Sequence, residues 1–170
     1  MLALIASAEE HARPALLGPG DGLAHEPRLA DARLADDGDD LTSRLGDQVI
    51  VRVQNPVTFP KHDSELQPDI LLLRPRADFY TGSHPLAEDV LLLIEVADTT
   101  LRLDRRVKIP LYARVEVSET WLCDLVAGAV EIYREPVEGA YRAIHTLARG
   151  QTLSPVALPD VRVRVEDLIG

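Results

Sequence analysis

Leu91-Leu92-Leu93-Ile94-Glu95-Val96-Ala97 is the stretch on which the fold turns, and Gln67-Pro68-Asp69-Ile70 prepares it. With Asp89-Val90 ahead of it, the later stretch is an almost unbroken apolar run, the signature of a strand buried on both faces. The earlier stretch opens a shorter apolar strand, Asp69 to Arg74. Each strand carries one carboxylate, Asp69 beside the first and Glu95 near the end of the second. Strand alternation predicts that Glu95 shares a face with Leu91 and Leu93. A carboxylate there is costly to bury without a metal or a hydrogen-bonding partner.

The chain then changes period. Asp98-Thr99-Thr100 predicts a helix cap, with a Thr or Asp oxygen accepting a free amide hydrogen. The helix is expected over roughly Leu103 to Arg114, although Pro110 removes a backbone donor and predicts a kink. Glu119 to Leu125 reads as the next strand, so strand, helix and strand imply a right-handed parallel crossover. Val126-Ala127-Gly128 turns the chain into Val130 to Arg134, and Tyr141 to Leu147 follows as an antiparallel strand after the Glu138-Gly139 turn. Arg162 to Leu168 adds a short strand and a last helical turn. Upstream, Gln48 to Gln54 alternates as a strand and Val57 to Phe59 is a second short piece. Pro60 to Pro68 reads as a polar loop and Pro75 to Glu88 as a long one. The fold class is α/β, and there is no internal repeat.

Residues 1–46 form a separate compositional zone, leaving one domain over 47–170. The zone holds a Gly18-Pro19-Gly20-Asp21-Gly22 breaker cluster and the acidic run Asp36-Asp37-Gly38-Asp39-Asp40. It is expected to be an irregular or diverged leader. Ten acids against four arginines give residues 1–47 a charge of -6 out of the chain's -10. That acidity argues against tight non-specific binding to nucleic acid, yet Arg102, Arg105, Arg106 and Lys108 make one segment locally basic.

Only 4% of the 170 residues are aromatic, so a core must rest on Leu, Val, Ile and Ala. A single cysteine, Cys123, excludes an internal disulfide and a thiolate zinc cluster and suits a reducing cytoplasm. It reads as a buried, inert thiol. No run approaches the ~20 apolar residues of a membrane span, and Met1 to Ala8 is too short for a secretory signal. The five histidines are scattered and read as loop residues. No serine has a nucleophile-elbow context, and no phosphate-cradling glycine loop is present.

The chemistry that remains is that of two acids and a lysine on adjacent elements. Phosphodiester hydrolysis needs charge neutralisation at the phosphate and an activated water. Magnesium or manganese supplies both, held by hard oxygen ligands. Asp69 and Glu95 are suitable ligands if their strands lie side by side. Lys108, four residues after Asp104 and hence on the same helical face, can position the water or stabilise developing charge.

These stretches resemble the Uma family of restriction endonucleases within the PD-(D/E)xK nuclease superfamily. The likeness lies in Gln67-Pro68-Asp69-Ile70, in Asp89 through Thr100, in Asp104, Lys108 and Tyr112-Ala113-Arg114, and in Glu119-Thr120-Trp121-Leu122-Cys123-Asp124-Leu125. Leu153-Ser154-Pro155, Leu158-Pro159-Asp160 and Val165-Glu166-Asp167-Leu168 extend it, so that it spans about residues 48 to 170. The resemblance implies a restriction-endonuclease-like core, a central mixed sheet flanked by helices, with Asp69 and Glu95 binding magnesium. The superfamily's usual lysine position, two residues after the acid, is Ala97 here, and the Uma-like arrangement moves the lysine to the helix as Lys108. The family's early helix and Gly-Glu hairpin have no clear counterpart in residues 1–46, where His25 and Glu26 match poorly.

The sequence thus leads to a magnesium-dependent DNA endonuclease, cytoplasmic and without a membrane partner. Its expected catalytic residues are Asp69, Glu95 and Lys108, with Asp104 orienting Lys108 or adding a metal contact. A homodimer would supply two sites for two strands. The alternative is a catalytically inactive nuclease fold acting as a binding or assembly module.

Overall fold

A computed structural model of the chain describes residues 48–59 and 64–170. The irregular leader expected over residues 1–46, and His11, His25 and His62, lie outside the described residues. The element order begins with β1 (Ile50–Val53), β2 (Val57–Phe59), β3 (Ser64–Leu66), β4 (Ile70–Leu73) and β5 (Val90–Ala97). A helix, α1, follows in three contiguous pieces, Leu101–Leu103, Asp104–Lys108 and Ile109–Arg114. Then come β6 (Glu119–Asp124), β7 (Ala129–Val137), β8 (Ala140–Ala148), β9 (Thr152–Leu153), β10 (Val163–Arg164) and α2 (Val165–Ile169). Ser64–Leu66 corrects the polar loop expected there: it pairs antiparallel with β2.

Six strands form one sheet in the order β1-β4-β5-β6-β7-β8. Every pairing in it is antiparallel except β5 with β6, the two strands joined by α1. The sheet is therefore mixed, and its centre is the apolar run of β5, buried at every position but Val96. Each fully buried Leu, Ile or Val contributes about 1.5–3 kcal/mol. Placing this run between two strands and under two layers thus recovers the most from it.

The sheet's two faces carry different covers. On one, Leu71, Leu73, Leu93 and Leu122 pack against Ile109, Tyr112 and Ala113 of α1. On the other, Ile70, Leu92, Ile94 and Trp121 pack against Leu158, Val165 and Leu168 of the C-terminal segment. The alternation of β5 is interrupted once. Leu72 pairs with Leu92 but Leu73 pairs with Val90, so Leu91 is an extra residue in a bulge. Leu91 consequently joins the C-terminal side. Glu95 keeps the face of Leu93 but not that of Leu91, which corrects the simple alternation.

The middle of α1 resolves the Pro110 conflict. Asp104–Lys108 is a π turn, in which the Ile109 amide donates to the Asp104 carbonyl five residues back. Proline offers no amide and its ring clashes with the carbonyl four residues back in a regular α-helix. An extra residue in the preceding turn opens the ladder where that clash would fall, and Pro110 then lies in the first turn of the last segment. The helix stops in a Schellman arrangement. The Val117 amide bonds the Tyr112 carbonyl at 3.0 Å and the Glu116 amide bonds that of Ala113 at 3.1 Å. Glu116 takes the left-handed conformation (φ +63°) usually given to glycine.

Candidate active site

The site forms where the start of β4, the end of β5 and the buried side of α1 meet. β4 pairs Ile70 with Ile94, so one further step along that register brings Asp69 level with Glu95. Asp69 is half-buried and tied at both ends. Its carbonyl accepts the Gln54 amide at 2.9 Å, and its carboxylate Oδ2 accepts the Val96 amide at 2.8 Å.

Glu95 is only 1% exposed. Its Oε1 accepts the Tyr112 hydroxyl, and its Oε2 lies 2.9 Å from Lys108 Nζ. Burial outweighs both donors and pushes its carboxyl up to about 7, and the nearby Asp69 charge adds to the rise. Burial also raises the Tyr112 phenol far above its ordinary range, with Glu95 reinforcing it, so this hydroxyl stays a donor. For Lys108, burial works downward, but its contacts with Glu95 and Asp104 win and hold the ammonium above its usual value.

Asp104 is the third carboxylate and is also 1% exposed. Oδ2 accepts the Thr100 hydroxyl at 2.6 Å, and Oδ1 lies 3.0 Å from Lys108 Nζ. That approach is close but poorly aligned, so Oδ1 has an ion-pair partner and no hydrogen bond. The cap expected from Asp98-Thr99-Thr100 is therefore corrected. Thr100 is the N-cap residue but makes no side-chain cap: its backbone is already helical (φ −92°, ψ −1°) and its hydroxyl is turned to donate to Asp104.

Along α1 and its N-cap the site takes Thr100, Asp104, Lys108 and Tyr112, four residues apart. A helix of 3.6 residues per turn lets such a stripe drift roughly 40° at each step. The π turn, with more residues per turn, counters the drift and keeps the stripe on Glu95. Asp104 and Lys108 were legible from this spacing. Tyr112, known from the sequence only as part of the Tyr112-Ala113-Arg114 stretch, joins them by donating its hydroxyl to Glu95. Ala97, in the superfamily's usual lysine position, is fully buried against the helix side.

A second buried glutamate, Glu119, sits on the opposite face and belongs to the framework. It accepts from Trp121 Nε1 at 2.8 Å, Arg134 Nη2 at 2.7 Å and the Val156 amide at 2.6 Å. Cys123 is buried and pushed up to about 12 by that burial, which makes it inert. His84 and His145 are exposed and away from these contacts.

Among the described residues, no three His, Cys, Asp or Glu side chains are grouped to hold a metal. The residues that could hold one are the pair Asp69 and Glu95. Magnesium keeps several waters and uses one or two carboxylates, so a pair fits it. The charge balance fits as well. Glu95 and Asp104 share the one ammonium of Lys108, Asp69 lies level with Glu95, and the buried Asp104 Oδ1 has no hydrogen bond, so the carboxylates leave room for a further cation.

Among the described residues, no helix is long and apolar enough to cross a membrane. Comparison with curated proteins gives no match. Among solved structures, a "putative nuclease belonging to DUF820 from Anabaena variabilis ATCC 29413" superposes with a TM-score of 0.55 at 17% identity, covering 76% of this chain and 73% of that one. At that identity the likeness establishes the fold, a nuclease-like mixed α/β sheet. The family model Uma2, described as "Putative restriction endonuclease", matches residues 28–166. That match takes in the sheet, α1 and all of Asp69, Glu95, Asp104 and Lys108, and the chain belongs to the Uma2 family.

Proposed function

We propose that the protein is a magnesium-dependent DNA endonuclease, with manganese as a substitute, acting as a cytoplasmic homodimer on the two strands of a duplex. The observation that carries the reading is the meeting of the buried Glu95 and Asp104 with the part-exposed Lys108, level with Asp69. Asp69 and Glu95 would hold the ion, which supplies charge neutralisation at the phosphate and a more acidic water. Tyr112 donates to Glu95 Oε1 and fixes that carboxylate. The Lys108 ammonium, held above its ordinary value, is a cation and donor rather than a base. Its role is to orient the attacking water or steady the charge that develops on the phosphate oxygens. Asp104 keeps its Nζ within reach of Glu95.

The test is cleavage of supercoiled and linear DNA by purified protein. Cutting is expected with magnesium or manganese, none with chelator, and none for Asp69→Ala or Glu95→Ala. Cleavage persisting in both variants would overturn the site. One observation favours the second reading, an inactive nuclease fold used for binding or assembly. Both Glu95 oxygens already accept from protein donors. Calorimetry separates the two: that reading requires no magnesium binding and no cleavage by the wild type.

A further inference from the structure

We propose that Thr100 is a positioning residue for Lys108, acting through Asp104. The inference rests on the endonuclease reading for its kinetic consequence only. Four polar groups run in line: Thr100 Oγ1 lies 2.6 Å from Asp104 Oδ2, Asp104 Oδ1 lies 3.0 Å from Lys108 Nζ, and Lys108 Nζ lies 2.9 Å from Glu95 Oε2. The Thr100 hydroxyl is the far anchor of this line.

Its placement argues for a role beyond helix stability. At an N-cap, a threonine oxygen ordinarily accepts an amide hydrogen of the first turn, worth about 1 kcal/mol. Thr100 is already helical (φ −92°, ψ −1°), and its carbonyl alone takes the amides of Leu103 at 2.8 Å and Asp104 at 3.0 Å. The hydroxyl is thereby left to donate to the carboxylate. Asp104 needs that donor, because its other oxygen has no aligned hydrogen bond. With Oδ2 released, this 1% exposed carboxylate is held only by its ion pair with Lys108, which has no aligned hydrogen bond to fix its rotation. It can then turn toward the ammonium and draw Lys108 away from Glu95. Displacement of about 1 Å at a reacting group is enough to lower a rate by up to two orders of magnitude.

Thr100→Val removes the donor and preserves the shape, whereas Thr100→Ser retains the donor. The rate constant kcat should fall on the order of tenfold in the valine variant with KM for DNA unchanged, and serine should restore kcat to within about twofold. A second readout needs no activity. The chain has two lysines, Lys61 and Lys108. Reductive methylation with formaldehyde, followed by peptide mass spectrometry, gives the rate at Lys108 relative to Lys61. A freed Lys108 should label about threefold faster in the valine variant and at the wild-type rate in the serine variant. Thr100→Ala serves as the donor-free variant if valine prevents folding, as judged by circular dichroism. Unchanged kcat with unchanged labelling overturns the proposal, and so does a change confined to KM. A wild type that cuts no DNA overturns the endonuclease reading instead, and labelling alone then decides the role of Thr100.

Discussion

Lys108→Met retains the aliphatic stem and deletes the one cation that touches two buried carboxylates. Both partners, Glu95 and Asp104, are about 1% exposed, with Nζ at 2.9 and 3.0 Å. Breaking a buried ion pair costs about 3–5 kcal/mol. Here the figure is reduced, because Lys108 is one-third exposed and solvent screens part of the attraction. A further limit is protonation. Glu95 titrates at about 7, above its unfolded value of roughly 4.3, because burial outweighs Tyr112 and Lys108. The native state therefore binds more protons than the unfolded one, and Glu95's contribution to stability is present at low pH and lost as pH rises toward 7. Removing Lys108 pushes Glu95 higher still. At pH 5 Glu95 is protonated in both proteins, so the variant should lose the Asp104 pair and the contact with a neutral Glu95, about 1 kcal/mol after solvent screening of the part-exposed lysine. At pH 8 the wild type holds an ionised, paired Glu95 and the variant cannot, so the loss should grow to about 2–3 kcal/mol. The measurement is metal-free urea unfolding at both pH values. Trp121, the single tryptophan and 1% exposed, serves as the fluorescence probe. An equal loss at the two pH values would refute the assignment of Lys108 as the counter-ion of Glu95.

Three further outcomes follow from the same geometry. Metal ligands must be deprotonated, so magnesium affinity by calorimetry and cleavage rate should both rise with pH up to about 7, the Glu95 value; flat profiles from pH 5 to 8 would contradict that. Arg102 and Arg106 are exposed, lie one turn apart and have no ion pair among the described residues, whereas Glu131 holds Arg105. If they contact DNA phosphates, Arg102→Ala with Arg106→Ala should lower the slope of log affinity against log salt by about 2, and an unchanged slope rules the contact out. Glu116→Gly relieves the left-handed residue at the end of α1 and should raise stability by up to about 1 kcal/mol without altering kcat, as read by thermal unfolding and DNA cleavage.

Most of the architecture was legible from local signals. The apolar run around Glu95 marked the central strand because a strand covered on both faces leaves no room for polar alternation. The pair Asp104 and Lys108 marked one helix face because four residues return nearly to the same side. The failures have one local origin and two long-range ones. The cap reading of Thr100 assumed that its oxygen accepts an amide hydrogen, but its backbone is already helical and its hydroxyl points to a buried carboxylate one turn along. The alternation that placed Leu91 with Glu95 failed at a bulge, which depends on the partner strand β4. Glu119 gave no sign of its burial in the sequence, since its partners Arg134 and Val156 are 15 and 37 residues away.

By itself, then, the sequence determined the six strands of the main sheet, the helix between the fifth and sixth strands of the chain, and the candidates Asp69, Glu95, Asp104 and Lys108. Periodicity and short spacings encode these things within a dozen residues. The tertiary structure alone decided the register that sets Asp69 level with Glu95. It also set the π turn that accommodates Pro110 and the partners chosen by Thr100 and Tyr112. Those outcomes depend on which surfaces meet after the chain has crossed the sheet. A buried carboxylate then accepts whichever donors that meeting brings within about 3 Å.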